Sequence, residues 1–376
     1  MTDMIYKTLV RPTRFMMGPE NAHKLALQAL ARLGKTYSAR MLVKRFYTVE
    51  NLRLSQKLFD HTFPNPVGLA AGMDKSGIAL LGFEALGFGH LEMGGITRYR
   101  QDGNPLPRLF LIEEDEAIIN RMGFNNPGAK ITALRLSQTQ GPIVPLGINI
   151  GKSKAVPPEN IKEVVEDYLY TLRALYEYGD FFTLNVSSPN TPNLRKLQAQ
   201  ESLRAIATAA VNESKKLAGE GRFQHKPKPI LVKIAPDLTL EEIDDILEVT
   251  QSAGLAGIIA VNTTTARTGL TSKRAIIQEI GGLSGKPLKR RALEIVGHIR
   301  AQCPTLPIIG VGGISSGEDA YNMLRAGANI IQIFTGLVYE GLGLPKRINQ
   351  ELLKFMDRDG ISCIKDIREM SLSVTR

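Results

Sequence analysis

Eight short apolar runs punctuate the chain: Asn65–Ala71, Phe88–Met93, Val144–Ile150, Phe181–Val186, Ile230–Ile234, Gly257–Val261, Pro307–Val311 and Asn329–Ile333. Each is rich in aliphatic residues and bounded by turn formers. Such runs read as strands buried on both faces. Between most of them lie stretches with helical apolar spacing, such as Ile161–Tyr178, Leu240–Ala253, Leu288–Gln302 and Gly317–Ala326. Strand and helix in alternation predict parallel βαβ units. Eight such units predict an α/β fold of the (β/α)8, or TIM barrel, type. An open doubly wound sheet is the alternative, but it would gather its polar residues at one switch point. Here polar residues follow nearly every strand.

The first 50 residues follow a different pattern. Ala22, Leu25, Ala26, Ala29, Leu30 and Leu33 recur at i, i+3, i+4 and i+7, the spacing of one apolar helix face. After a break at Gly34 the pattern resumes with Met41, Leu42, Arg45 and Phe46, and Lys24, Arg32 and Lys35 lie opposite. Two readings are open: a helical pair packed on the barrel, or a basic amphipathic hairpin lying on an anionic membrane. Charge sharpens the choice. Residues 1–53 carry ten Lys/Arg against three acids, which is +7 of the chain's net +10. That asymmetry suggests an acidic partner, either anionic lipid or nucleic acid. No apolar run reaches the length of a membrane span, and no secretory h-region opens the chain. The expected organisation is a helical segment over 1–50, a catalytic barrel over 51–358 and a polar tail over 359–376.

Candidate chemistry collects after the strands. The first ends in Ala70-Ala71-Gly72-Met73-Asp74-Lys75, the second in Gly94-Gly95-Ile96-Thr97 and the third in Asn149-Ile150-Gly151-Lys152. The fourth leads into Asn185-Val-Ser-Ser188-Pro-Asn190-Thr-Pro192, where two carboxamides, three hydroxyls and two prolines share one turn. Carboxamides both donate and accept, and the prolines stiffen the loop. Lys233 interrupts the apolar run of the fifth strand, and a buried lysine needs an anionic or electron-rich partner. The sixth strand ends in Asn262-Thr263-Thr264. Gly310-Val-Gly312-Gly313 and Phe334-Thr335-Gly336 follow the seventh and eighth, where this fold binds phosphate. Asn120, Asn185, Asn190 and Asn262, converging with Lys75, suit a ligand with several donors and acceptors and a negative charge. The five histidines lie away from these ends, which leaves Ser188 as the proton-transfer candidate. Two cysteines cannot build a zinc cage or a disulfide framework, and no metal site is expected.

Ala-Gly-Met-Asp-Lys75, Asn120-Arg-Met-Gly-Phe124, Gly147-Ile-Asn-Ile-Gly-Lys152, Asn185-Val-Ser-Ser-Pro-Asn-Thr-Pro192, Val232-Lys-Ile-Ala-Pro-Asp237, Asn262-Thr-Thr264, Gly281-Gly-Leu-Ser-Gly-Lys-Pro-Leu288 and Pro307-Ile-Ile-Gly-Val-Gly-Gly-Ile314 together resemble the dihydroorotate dehydrogenase family. Serine at 188 and the helical extension resemble its membrane-associated, quinone-linked class 2. The resemblance implies an FMN cofactor met by Ala71, Gly72, Met73, Asp74, Lys75, Gly95, Asn149, Asn185, Lys233, Val261, Gly285, Gly313, Phe334 and Thr335. It implies that dihydroorotate is bound by Lys75, Asn120, Arg121, Met122, Gly123, Phe124, Asn185, Asn190, Asn262 and Thr263. Ser188 falls on the catalytic base, which removes a proton from C5 while hydride leaves C6 for the flavin. Phe124 and Thr191 fall on positions that support proton exit from that serine. The implied partners are dihydroorotate, orotate, a membrane quinone and an anionic membrane surface, for a monomer held peripherally on the cytoplasmic side of the inner membrane.

Three positions depart from the family. Leu111 replaces an arginine and Phe334 a tyrosine, both beside the expected quinone tunnel, and Gly95 replaces a hydroxyl residue near the flavin. His23 falls near the tunnel mouth. These changes leave oxidation of dihydroorotate intact and raise the alternative of an acceptor other than quinone. Two other classes are disfavoured. A flavin-free aldolase or isomerase barrel calls for a Schiff-base lysine or a carboxylate pair, and no carboxylate is expected beside Lys233. A nucleic-acid module calls for aromatic residues among its basic ones, and the basic segment has few.

Overall fold

The computed structural model describes residues 18–220 and 226–368. Two helices open it, α1 (Pro19–Lys35) and α2 (Tyr37–Tyr47). A hairpin follows, formed by β1 (Gln56–Leu58) and β2 (His61–Phe63). The eight predicted runs then appear as β3 (Val67–Leu69), β4 (His90–Ile96), β7 (Leu146–Gly151), β8 (Phe181–Asn185), β9 (Ile230–Ile234), β10 (Gly257–Ala260), β12 (Ile308–Val311) and β13 (Ile330–Ile333). They close a parallel barrel in the order β3-β4-β7-β8-β9-β10-β12-β13, and β13 pairs back onto β3. Helices lie between the strands, among them α5 (Ile161–Leu175), α6 (Gln200–Gly219), α7 (Leu240–Ser252), α8 (Lys289–Gln302) and α9 (Gly317–Arg325). Local chemistry sets some boundaries: Thr239 and Glu242 form a reciprocal capping box at the start of α7.

Alternate residues of each strand face the axis. At the N-terminal end the axis is filled by Phe63, Phe181, Leu231, Ile259, Ile309 and Ile330, all 0% exposed. Each such side chain contributes about 1.5–3 kcal/mol on burial. Phe63 comes from the β1–β2 hairpin, which closes this end, and its ring meets His90 edge-on at 5.3 Å. One layer up the interior turns polar, with Glu92, Asn149, Thr183, Lys233 and Gln332 all buried.

Three features were not expected. An antiparallel sheet of β5 (Leu109–Ile112), β6 (Ala117–Asn120) and β11 (Gly282–Gly285) stands apart from the barrel, and Asn120 ends its middle strand. The residues expected as a C-terminal tail pack up to 368, with Ile361, Ile364 and Ile367 buried; their three-residue spacing gives a short apolar face, and the Ile364 amide bonds to Arg53 O. The apolar face of α1 is also rotated. His23, Leu27 and Leu30 turn inward while Leu25 is 49% exposed. α1 sits close because Gly82, in α3 (Leu80–Ala85), has no Cβ; one there would lie 2.3 Å from Leu30 O. Leu25, Tyr37, Met41, Leu42 and Phe46 are left exposed on the two helices.

Candidate active site

Strand ends from around the barrel meet at one cavity. Lys75, Gly95, Asn120, Met122, Gly123, Phe124, Asn185, Ser188, Asn190, Lys233, Val261, Asn262 and Thr263 line it, with Ala71, Gly72, Gly285, Gly313, Phe334 and Thr335. Four predicted residues do not reach its wall. Asp74 is buried as a local brace, its carboxylate accepting from the Ser76, Ile78 and Ala79 amides. Burial raises its pKa while those bonds oppose the rise. Arg121 turns outward, paired with Glu279 at 2.6 Å and stacked over Phe110. Met73 faces a second cavity. Asn149 lies beneath the floor, fully buried.

The amides form a chain. Asn185 Nδ2 donates to Asn149 Oδ1 at 2.8 Å, and Asn185 Oδ1 accepts from Ser187 Oγ and Asn262 Nδ2, each at 3.3 Å. Asn190 Nδ2 donates to Asn120 Oδ1 at 3.0 Å, tying the serine loop to β6. Ser188 is 8% exposed, and its Oγ accepts the Asn190 amide at 3.3 Å. Lys75 donates to Gly72 O at 2.7 Å. Its pKa falls to about 8, through burial first and Arg108 second. Lys233 has no hydrogen-bond partner among the described residues, and burial lowers its pKa while Glu92 opposes.

Several participants lay outside the sequence reading. Glu92, on β4, accepts from Asn149 Nδ2 and Gln332 Nε2, both at 2.8 Å. It is the carboxylate that Lys233 was expected to lack, so that argument against an aldolase-type barrel falls. The sequence signal was present: Glu92 interrupts an apolar strand just as Lys233 does. Arg195 bridges Ser187 O at 3.1 Å, Asp237 Oδ2 at 2.6 Å and Thr263 O at 2.8 Å, fastening the serine loop to its neighbours. Arg108 holds Glu20 of α1 with two nitrogens, the shorter contact 2.6 Å.

The cavity fits a planar, phosphorylated anion. The buried Lys233 amine lies on its wall with no side-chain hydrogen bond among the described residues, free to meet an anionic ligand. Gly313, on the same wall, has φ +71°, and a Cβ there would come 2.6 Å from Lys289, so the turn admits only glycine. Ser284 Oγ and Thr335 Oγ1 meet at 2.8 Å beside Gly285, adding hydroxyls to the same wall. The second cavity runs between α1 and the barrel. Among the described residues its side chains are apolar apart from His23 and Lys75, and Leu111, Leu109, Met122, Phe334 and Val338 line it. His23 is pushed down to about 4, by burial first and Lys75 second, and is neutral at neutral pH.

A family model described as dihydroorotate dehydrogenase matches residues 53–356. A dihydroorotate dehydrogenase (quinone) of Christiangramia forsetii is 46% identical over 353 residues, 93% of this chain and 99% of that one. One from Thermus thermophilus is 44% identical, covering 94% and 98%. Among solved structures, ligand-free Eimeria tenella DHODH superposes with a TM-score of 0.83 at 36% identity, covering 93% and 98%. The same enzyme in complex with ferulenol gives 0.82 at 35%, covering 93% and 94%.

Proposed function

The chain belongs to the dihydroorotate dehydrogenase family, and on that premise we propose that it oxidises dihydroorotate to orotate with FMN and passes the electrons to a membrane quinone, a step of pyrimidine biosynthesis. The observation that carries this reading is the convergence of Lys75, Ser188 and four asparagines on one cavity with the unpartnered Lys233. The Lys75 ammonium binds the substrate carboxylate. Asn120, Asn185, Asn190 and Asn262 match the ring's amide donors and acceptors and fix its orientation. Ser188 takes the proton from C5, with the loop over it excluding water. When bound, FMN supplies the two-electron acceptor for C6 and relays the electrons onward. Lys233 offers its charge to the cofactor's electron-rich edge, and the turns at Gly285 and Gly313 face its phosphate.

The apolar second cavity supports quinone access. Leu111 and Phe334 stand in its lining where the family has a guanidinium and a phenol, so among the described lining side chains His23 and Lys75 are the ones that offer polar contacts to a quinone oxygen. Exposed Leu25, Tyr37, Met41, Leu42 and Phe46 beside Arg40, Lys44 and Arg45 suit a peripheral anchor in anionic lipid. No helix among the described residues is long and apolar enough to cross a membrane.

The test is an anaerobic visible spectrum of the purified protein. Dihydroorotate should bleach a flavin band and a soluble quinone should restore it. Bleaching without recovery would retain the dehydrogenase and reassign the acceptor. A colourless protein that FMN cannot reconstitute would overturn the reading.

A further inference from the structure

The polar layer inside the barrel contains two charges, Glu92 and Lys233, with Asn149 and Gln332 between the strands that bear them. Glu92 is 0% exposed. Both of its oxygens are occupied by amide N–H donors at 2.8 Å. Each oxygen accepts from a side-chain amide, the role a carboxylate plays at both of its oxygens. That fixes the orientation of its neighbours. Asn149 must turn Nδ2 toward Glu92, which leaves Oδ1 for Asn185 Nδ2 at 2.8 Å. Asn185 must then present Oδ1 to Ser187 and Asn262. Without the anion each amide could flip, because its oxygen and nitrogen are nearly the same size. The polarity of the chain is therefore set at one end, outside the cavity wall.

We propose that Glu92 is a positioning residue with two effects: it orients the Asn149–Asn185–Asn262 chain that meets the substrate, and it offsets part of the Lys233 charge presented to the cofactor. The second effect acts through space, since no direct ion pair joins Glu92 and Lys233 among the described residues. This proposal rests on the FMN and dihydroorotate reading above. Removing the negative charge leaves Lys233 uncompensated, which favours the more negative, reduced cofactor. Losing the orientation weakens binding of the substrate ring.

The experiment compares wild type, Glu92→Gln and Glu92→Asp, each loaded with FMN. The cofactor potential is measured by reductive titration without dihydroorotate, so it does not depend on the substrate assignment. Orotate affinity is read separately from the flavin absorbance change. Glu92→Gln should raise the two-electron potential by about 30 mV, equivalent to a tenfold stabilisation of the reduced form, and weaken orotate about tenfold. Glu92→Asp keeps the charge on a shorter arm, so it should leave the potential in place and weaken orotate alone. An unchanged potential in Glu92→Gln overturns the charge-offset role. Unchanged orotate affinity in both variants overturns the orienting role. If Glu92→Gln takes up no FMN, Glu92→Asp carries the test: a shifted potential with intact orotate binding would contradict the proposal. A wild-type protein that binds FMN but is not reduced by dihydroorotate would fail the functional reading while leaving the potential test valid.

Discussion

Lys75 makes the affinity for orotate depend on pH in a direction that can be worked out beforehand. Its amine sits on the cavity wall with one hydrogen-bond acceptor among the described residues, Gly72 O, and a pKa lowered to about 8. Burial is the main cause, and Arg108 adds repulsion. The unfolded chain binds this proton up to the ordinary value of 10.5. Between about pH 8 and 10.5 the unfolded state thus carries more protons than the folded one, and the free protein gains stability as pH rises through that window. Ligand binding has the opposite slope, because a carboxylate needs the charged form. At pH 7 about nine-tenths of the free protein carries the charge, and at pH 9 about one-tenth. Orotate should therefore bind about tenfold more weakly at pH 9 than at pH 7. Each further unit costs up to another factor of about ten until the pKa of the complex is reached. Titrating orotate against the flavin absorbance from pH 6 to 10 measures this directly. Lys75→Met should bind weakly throughout and lose the slope. Equal affinity at pH 7 and pH 9, or a slope that persists in Lys75→Met, would refute the reasoning.

Three further outcomes are expected. Ser188→Ala should keep FMN and orotate binding while stopped-flow reduction by dihydroorotate slows by about 10²–10⁴, the range for loss of a general base; near-normal reduction would place the base elsewhere. Gly313→Ala forces a side chain into a positive-φ turn against the Lys289 backbone, so it should release FMN more readily, by about 5- to 150-fold on a cost of roughly 1–3 kcal/mol; unchanged retention on dialysis would remove this turn from the phosphate site. Deleting residues 1–50 should spare flavin reduction and cripple quinone reduction, and loss of both in a folded, FMN-loaded truncation would contradict a role confined to the acceptor.

The barrel was legible because its strands are buried on both faces, so each stands out as an unbroken aliphatic run. The β5–β6–β11 sheet was harder to see. Its strands are four residues each, the loop between β5 and β6 is the acidic run 113–116 with no glycine or proline to mark a turn, and β11 lies far along the chain from β6. Lys233 was found because a charge inside a strand is conspicuous, and Glu92 was passed over although it has the same signature. Its partners, Asn149 and Gln332, come from strands distant in sequence, and only closure of the barrel brings the three together. Asp74 and Arg121 show the reverse. Both sit within informative motifs, but neighbouring backbone amides hold one and Glu279 draws the other outward.

Gly72, Lys75, Met122 and Phe334 each face both cavities. On the proposed reading, reductant and oxidant would have separate berths on either side of a shared partition. Such an arrangement has a steady-state signature. Orotate should compete with dihydroorotate and lower the apparent Vmax and KM for quinone together, leaving their ratio unchanged, whereas an occupant of the apolar cavity should do the converse. Product would not have to depart before the second substrate arrives, and the turnover rate would then be free of the queue that a single shared pocket imposes.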